Sequence, residues 1–179
     1  MSPPPHALPP NALPPHTRPT LVLVGSPGAG KTTVGRLLAE ATGVVFRDTD
    51  HDLETAAGKS IAEIFYDDGE EHFRALERAA VATALATHDG VLSIGGGAVL
   101  AAETRALLTG HDVLFLQVGL SAAATRAGLS RDRPLLALNP RATLRTLLEA
   151  RLPLYLEVAT RTIDTDDKTP AQVAAEVMQ

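Results

Sequence analysis

Residues 25–32 read GSPGAGKT and match G-x-x-x-x-G-K-[ST] at every fixed position. An apolar run, LVLV at 21–24, precedes the motif, and a helical pattern over 32–42 follows it. A buried strand that turns through glycines into a helix places the chain among α/β proteins. Glycine lets backbone N–H groups turn inward around phosphate oxygens, and the helix N-terminus faces the same anion. Gly28, Ala29, Gly30, Lys31, Thr32 and Thr33 are therefore the candidate nucleotide-binding residues. Lys31 can reach the β- and γ-phosphates, and the Thr32 hydroxyl can ligate Mg²⁺. The alternative is a glycine-rich turn that binds nothing. The motif points to a nucleoside triphosphate and leaves the reaction open.

The rest of the chain alternates strand and helix patterns. Further strands are expected at 44–46, 91–94, 113–118 and 161–164. Helices are expected at 51–57, 61–88 with a break near Gly69, 103–108, 121–127, 141–160 with a disturbance at Pro153, and 170–178. Residues 128–140 read as a loop carrying Arg131, Arg133 and Pro134. This order gives a parallel sheet with helices on both faces, and ligands in such sheets bind beyond the carboxyl ends of the strands. Residues 1–19 hold eight of the thirteen prolines and a single charge, Arg18. A disordered or polyproline-like tail is expected there, followed by one domain over 20–179. Either a ligand for a proline-recognising module or an extension without function fits the tail.

Composition removes several classes of function. The net charge of −5 and the six aromatic residues argue against a nucleic-acid binder. With no cysteine, there can be no disulfide, thiol nucleophile or Cys-ligated metal. The six histidines form no close ligand pair. No apolar run approaches the roughly 18 residues of a membrane span, and no basic-then-apolar leader opens the chain. A cytoplasmic protein is expected.

Neither D-x-x-G nor [NT]-K-x-D, the companions of the phosphate loop in GTPases, occurs. The length suits a small-molecule kinase better than an ATP-driven motor. Asp48 and Asp50 follow the second strand. One carboxylate can hold a water of a Mg²⁺ shell, and the other can accept a substrate hydroxyl proton. The pair equally suits a turn or a helix N-cap. Arg74 reads either as a ligand-binding cation or as a helix residue paired with Glu70 or Glu77. Gly95, Gly96 and Gly97 follow the third strand, where close approach to a ligand and a tight turn are the two uses of such a run. Arg133 reads as a phosphate-contacting lid residue or as part of a solvated basic loop. Arg151 would ordinarily lie on a helix surface.

In this order the segments GSPGAGKTTVG at 25–35, DTD at 48–50, FR at 73–74, SIGGGAV at 93–99, RP at 133–134, RLPLY at 151–155 and Lys168 through Pro170 resemble the shikimate kinase family. The likeness covers nearly all of residues 20–179. It implies a three-layer αβα P-loop kinase fold with a five-stranded parallel sheet in order 2-3-1-4-5 and a mobile lid. It also implies transfer of a phosphoryl group from ATP to the 3-hydroxyl of shikimate, in aromatic amino-acid biosynthesis, by a monomer using Mg²⁺. Under that resemblance Asp50 is the base and hydroxyl ligand, and Arg74, Arg151 and Gly95–Gly97 bind the acceptor. Asp48 stands with Thr32 near Mg²⁺, and Lys31 and Arg133 on the ATP phosphates. Arg126, Lys168 and Pro170 lie around the adenine. Lys168 departs from the arginine common in the family and cannot stack as a guanidinium does. A gluconate-type sugar-acid kinase and a catalytically idle ATP-binding regulator are the competing readings.

Overall fold

Leu21–Val24 forms β1, Phe46–Asp48 β2, Val91–Ser93 β3, Val113–Gln117 β4 and Arg161–Asp164 β5. All pair in parallel, in the order β2-β3-β1-β4-β5. The computed structural model describes residues 18–126 and 139–179. The helices are α1 (Lys31–Thr42), α2 (Thr49–Ala57), α3 (Ile61–Asp68), α4 (Glu70–Thr87), α5 (Ala102–Leu108), α6 (Leu120–Arg126), α7 (Pro140–Val158) and α8 (Pro170–Val177). A 3₁₀ turn at Ala98–Leu100, unmarked in the sequence pattern, follows the glycine run.

The uninterrupted apolar strands follow from a sheet covered on both faces. Leu21, Leu23, Leu114 and Leu116 pack with Val34 and Leu38 of α1, Ala123 of α6 and Val173 of α8. The residues between them, Val22, Val24, Val113 and Phe115, pack with Val81 and Leu85 of α4, Leu108 of α5 and Tyr155 of α7. A smaller cluster of Leu53, Ile64 and Phe73 joins α2, α3 and α4 into one unit beside β2. Gly69 separates α3 from α4 as expected, with φ of 88° that a side chain would resist.

The second strand starts two residues later than the apolar pattern predicts. Val44 donates its N–H to Ala39 O at 3.0 Å and so belongs to the end of α1, while Val45 is 67% exposed. Phe46 is the first residue paired, opposite Val91. The shift carries the strand through to Asp48. Helix α2 starts at Thr49 rather than at 51, because the Asp48 side chain accepts the Asp50 N–H at 3.0 Å. Helix α7 runs through Pro153 without a break. The carbonyl that Pro153 cannot bond belongs to Glu149, which is exposed to water.

Most of the expected tail, 1–17, lies outside the described residues, as does 127–138, which includes Arg131, Arg133 and Pro134 of the expected lid. Arg18 donates to Gly110 O at 3.2 Å, Pro19 is buried, and the Thr20 N–H bonds to Gly90 O at 2.9 Å.

Candidate active site

The phosphate loop joins β1 to α1 at the carboxyl end of the sheet's central strand. Gly30 has φ of 89° and caps α1 through its backbone alone. At Gly25, any Cβ would fall 2.6 Å from Leu116 O. The N–H groups of the first turn of α1 have no intrahelical acceptors. Ala29 is 1% exposed, and its N–H is used inside the loop, on Ser26 O at 3.1 Å. The Lys31 ammonium donates to Gly25 O at 2.7 Å, folded over the loop it serves.

Asp48 at the end of β2 has two roles at once. One oxygen caps α2, and the other accepts from Thr32 Oγ1 at 2.8 Å. The N-cap reading of this aspartate is realised, and its second oxygen faces the threonine of the phosphate loop. Thr49, between the two aspartates and fully buried, accepts the Gly95 N–H at 3.2 Å. The crevice over the loop brings together Gly28, Gly30, Lys31, Thr32, Thr33, Asp48, Asp50, Gly96, Arg126 and Pro170, all singled out from sequence, along with Ser93. Arg126 donates to Thr165 Oγ1 at 2.9 Å and to Thr165 O at 2.5 Å, which pins it beside the start of α8. Lys168 lies farther along the same rim, where its ammonium bonds Glu176 Oε2 at 2.7 Å.

Each glycine of 95–97 has its own neighbour. A Cβ at Gly95 would fall 2.6 Å from Asp50 Oδ1 and 2.9 Å from Glu77 Oε1. At Gly96 it would sit 3.2 Å from Gly25 O and 3.6 Å from Arg151 Nη1. At Gly97 it would fall onto the Arg74 guanidinium, 2.8 Å from Cζ. The run is thus a place of close approach to four charged side chains as well as a turn. The Gly97→Ala variant is expected to displace Arg74 and raise the acceptor KM roughly 10- to 100-fold, with the ATP KM unchanged. Steady-state kinetics against both substrates checks it.

The two arginines differ in a way that sequence does not reveal. Arg74 lies over the Phe73 ring and is paired, with Glu77 at 2.7 Å and Glu70 at 3.5 Å. Glu77, which sequence reasoning treated only as a possible partner of Arg74, has a side chain 4% exposed and holds that guanidinium against Gly97. Arg74, Glu77 and Gly97 line a second cleft. Arg151 is itself buried, at 6% exposure, and no carboxylate among the described residues lies within ion-pair distance of it. A cation taken out of water without a counter-ion is costly. Tyr155, one turn further along α7, was missed as a site residue. An aromatic at helical spacing reads as core, and only the fold brings its hydroxyl to Gly96.

A phosphate loop on the central strand, an aspartate-bearing strand end beside it and a buried arginine at the adjoining cleft define a P-loop small-molecule phosphotransferase with the nucleoside monophosphate kinase-like fold. A thymidylate kinase from Candida albicans shares that fold, with a TM-score of 0.59 at 19% identity over 90% of each chain. Within this class, the chain belongs to the shikimate kinase family, whose sequence profile matches residues 27–179. It is 65% identical over 159 residues to a shikimate kinase of Salinispora tropica, covering 89% of this chain and 95% of that one. It is 61% identical over 162 residues to a shikimate kinase of Saccharopolyspora erythraea, covering 90% and 93%. The solved structure of an Acinetobacter baumannii shikimate kinase in complex with shikimate superposes with a TM-score of 0.87 at 40% identity, covering 92% of this chain and 93% of that one.

Proposed function

We propose that this chain transfers the γ-phosphoryl group of ATP to the 3-hydroxyl of shikimate, giving shikimate 3-phosphate and ADP. The observation that carries the reading is Arg151, a buried cation lacking a carboxylate partner among the described residues and set against Gly96 at the edge of the phosphate-loop crevice. Shikimate presents a carboxylate to match it and hydroxyls to reach Asp50. A guanidinium grips a planar carboxylate in two places, and Arg74, held by Glu77, supplies a second donor.

Lys31 and the loop N–H groups hold the phosphates, and Asp50 orients the acceptor hydroxyl and takes its proton. The transition state is loose, so alignment counts for as much as proton removal. Thr32 Oγ1 and Asp48 Oδ2 are hard oxygen donors 2.8 Å apart on the crevice wall, a set that suits Mg²⁺. Among the described residues, no cluster of His, Asp or Glu could cage a metal ion. Thr32 and a water held by Asp48 would therefore share the ion with phosphate oxygens, and the ion supplies charge neutralisation there. Arg126 and Pro170 flank the adenine, with Lys168 at its outer rim. Gly28, Ala29 and Thr33 shape the loop around the phosphates. Arg133 acts on the phosphates from the segment outside the described residues.

Residues 20–179 act as one domain in a monomer, with 1–19 as a tail that takes no part in the chemistry. The protein works in the cytoplasm without nucleic acid or membrane; no described helix is long and apolar enough to cross a bilayer. The test is ADP release from Mg²⁺–ATP with shikimate, with gluconate, and with neither. Release that depends on shikimate is expected. Release with gluconate alone would move the chain to the sugar-acid kinases. Nucleotide binding without release would make it a binding protein.

A further inference from the structure

We propose that Tyr155 is a positioning residue of the acceptor site: its hydroxyl sets the Gly96–Gly97 peptide, which lies beside the Arg151 guanidinium, against the phosphate loop. The proposal rests on the acceptor reading above. Tyr155 is 1% exposed, and its ring stacks on Phe115 of β4, with centroids 4.9 Å apart and planes at 20°. The ring alone would satisfy that packing, and phenylalanine would do so without a polar group to bury. The hydroxyl instead donates to Gly96 O at 2.6 Å and accepts from Ser26 Oγ of the phosphate loop at 3.5 Å. One oxygen thus joins three segments far apart in sequence: the phosphate loop, the glycine run and α7.

The geometry fixes what this bond controls. The peptides of the described residues are trans, so a carbonyl drawn toward Tyr155 turns the Gly97 N–H the opposite way. The N–H groups of Gly96 and Gly97 have no acceptor among the described residues. Without a Cβ, a glycine pair has little to hold its peptide plane other than such a bond. Arg151 lies one turn before Tyr155 on the same face of α7, and its Nη1 sits 3.6 Å from where a Cβ on Gly96 would lie, at the residue whose carbonyl the phenol bonds. Burial pushes the phenol pKa up, while Arg151 and the Ser26 hydrogen bond pull the other way; burial prevails, so the hydroxyl keeps its proton. The donor to Gly96 is therefore present throughout the working pH range.

The test compares Tyr155→Phe with Phe115→Leu in the full chain. Removing the hydroxyl while keeping the ring is expected to raise the shikimate KM, and the shikimate Kd measured by calorimetry, about tenfold. The ATP KM is expected to stay within about twofold of wild type. Phe115→Leu breaks the stack and keeps the hydroxyl, so it should lower Tm and leave the shikimate KM in place. A Tyr155→Phe enzyme with lowered Tm but wild-type KM and Kd for shikimate would overturn the assignment and leave the hydroxyl a structural role. So would an equal rise in shikimate KM in Phe115→Leu, since general loosening would then explain both. A wild-type chain that neither binds nor phosphorylates shikimate would overturn the acceptor reading itself. That failure is read from the wild type alone and is distinct from the other two.

Discussion

Asp50→Asn is expected to lower kcat about 10³-fold while ATP binds as before. Asparagine has the shape of aspartate, so the tight fit against Gly95, where even a Cβ would fall 2.6 Å from Oδ1, should survive. Two things are lost: the negative charge and the ability to take a proton. Nucleotide binding should persist, because Lys31, Thr32 and the loop backbone are untouched and Asp48 still caps α2. The measurement is kcat with saturating substrates, alongside ATP affinity by calorimetry. A kcat within about twofold of wild type would remove Asp50 from the chemistry and move the search to another proton acceptor. A fall of only about tenfold would show that alignment dominates over proton transfer.

Arg151→Met should separate binding from stability. Two charge-assisted hydrogen bonds to a carboxylate together contribute about 3 kcal/mol, so the shikimate KM is expected to rise about 10²-fold. Tm should stay level or rise, which is the reverse of the usual outcome for a core substitution. Methionine is apolar and of similar reach. Replacing a buried cation that has no carboxylate among the described residues removes a desolvation cost. Thermal unfolding and steady-state kinetics on the same preparation check both halves. A Tm several degrees lower with an unchanged KM would make Arg151 a structural residue and withdraw the support it gives to the function.

What sequence made legible lies where chemistry is local. The phosphate loop depends on glycine backbone freedom and on a lysine and a threonine next to each other, so GSPGAGKT specifies its own geometry. The strands at 21–24 and 161–164 emerged with the expected bounds, and Gly69 divided α3 from α4 as read. The sheet order and the acceptor came from family resemblance, since neither periodicity nor spacing encodes them. The second strand was misplaced because Val44 and Val45 look like strand residues, yet the end of α1 claims the Val44 N–H.

Sequence by itself determined that this chain would be a parallel α/β protein with a triphosphate site after its first strand. Backbone freedom, side-chain order and apolar runs act over a few neighbours, and those survive any packing. Only the tertiary structure decided which polar residues are buried and what they face. Arg74 and Arg151 look alike on their helices, but one meets Glu77 and the other meets no carboxylate among the described residues. In the sequence Tyr155 stands only as the end of RLPLY, and the fold brings Gly96 and Ser26 to its hydroxyl. Helical period tells which way a side chain points, and the charge or carbonyl waiting there comes from a segment tens of residues away.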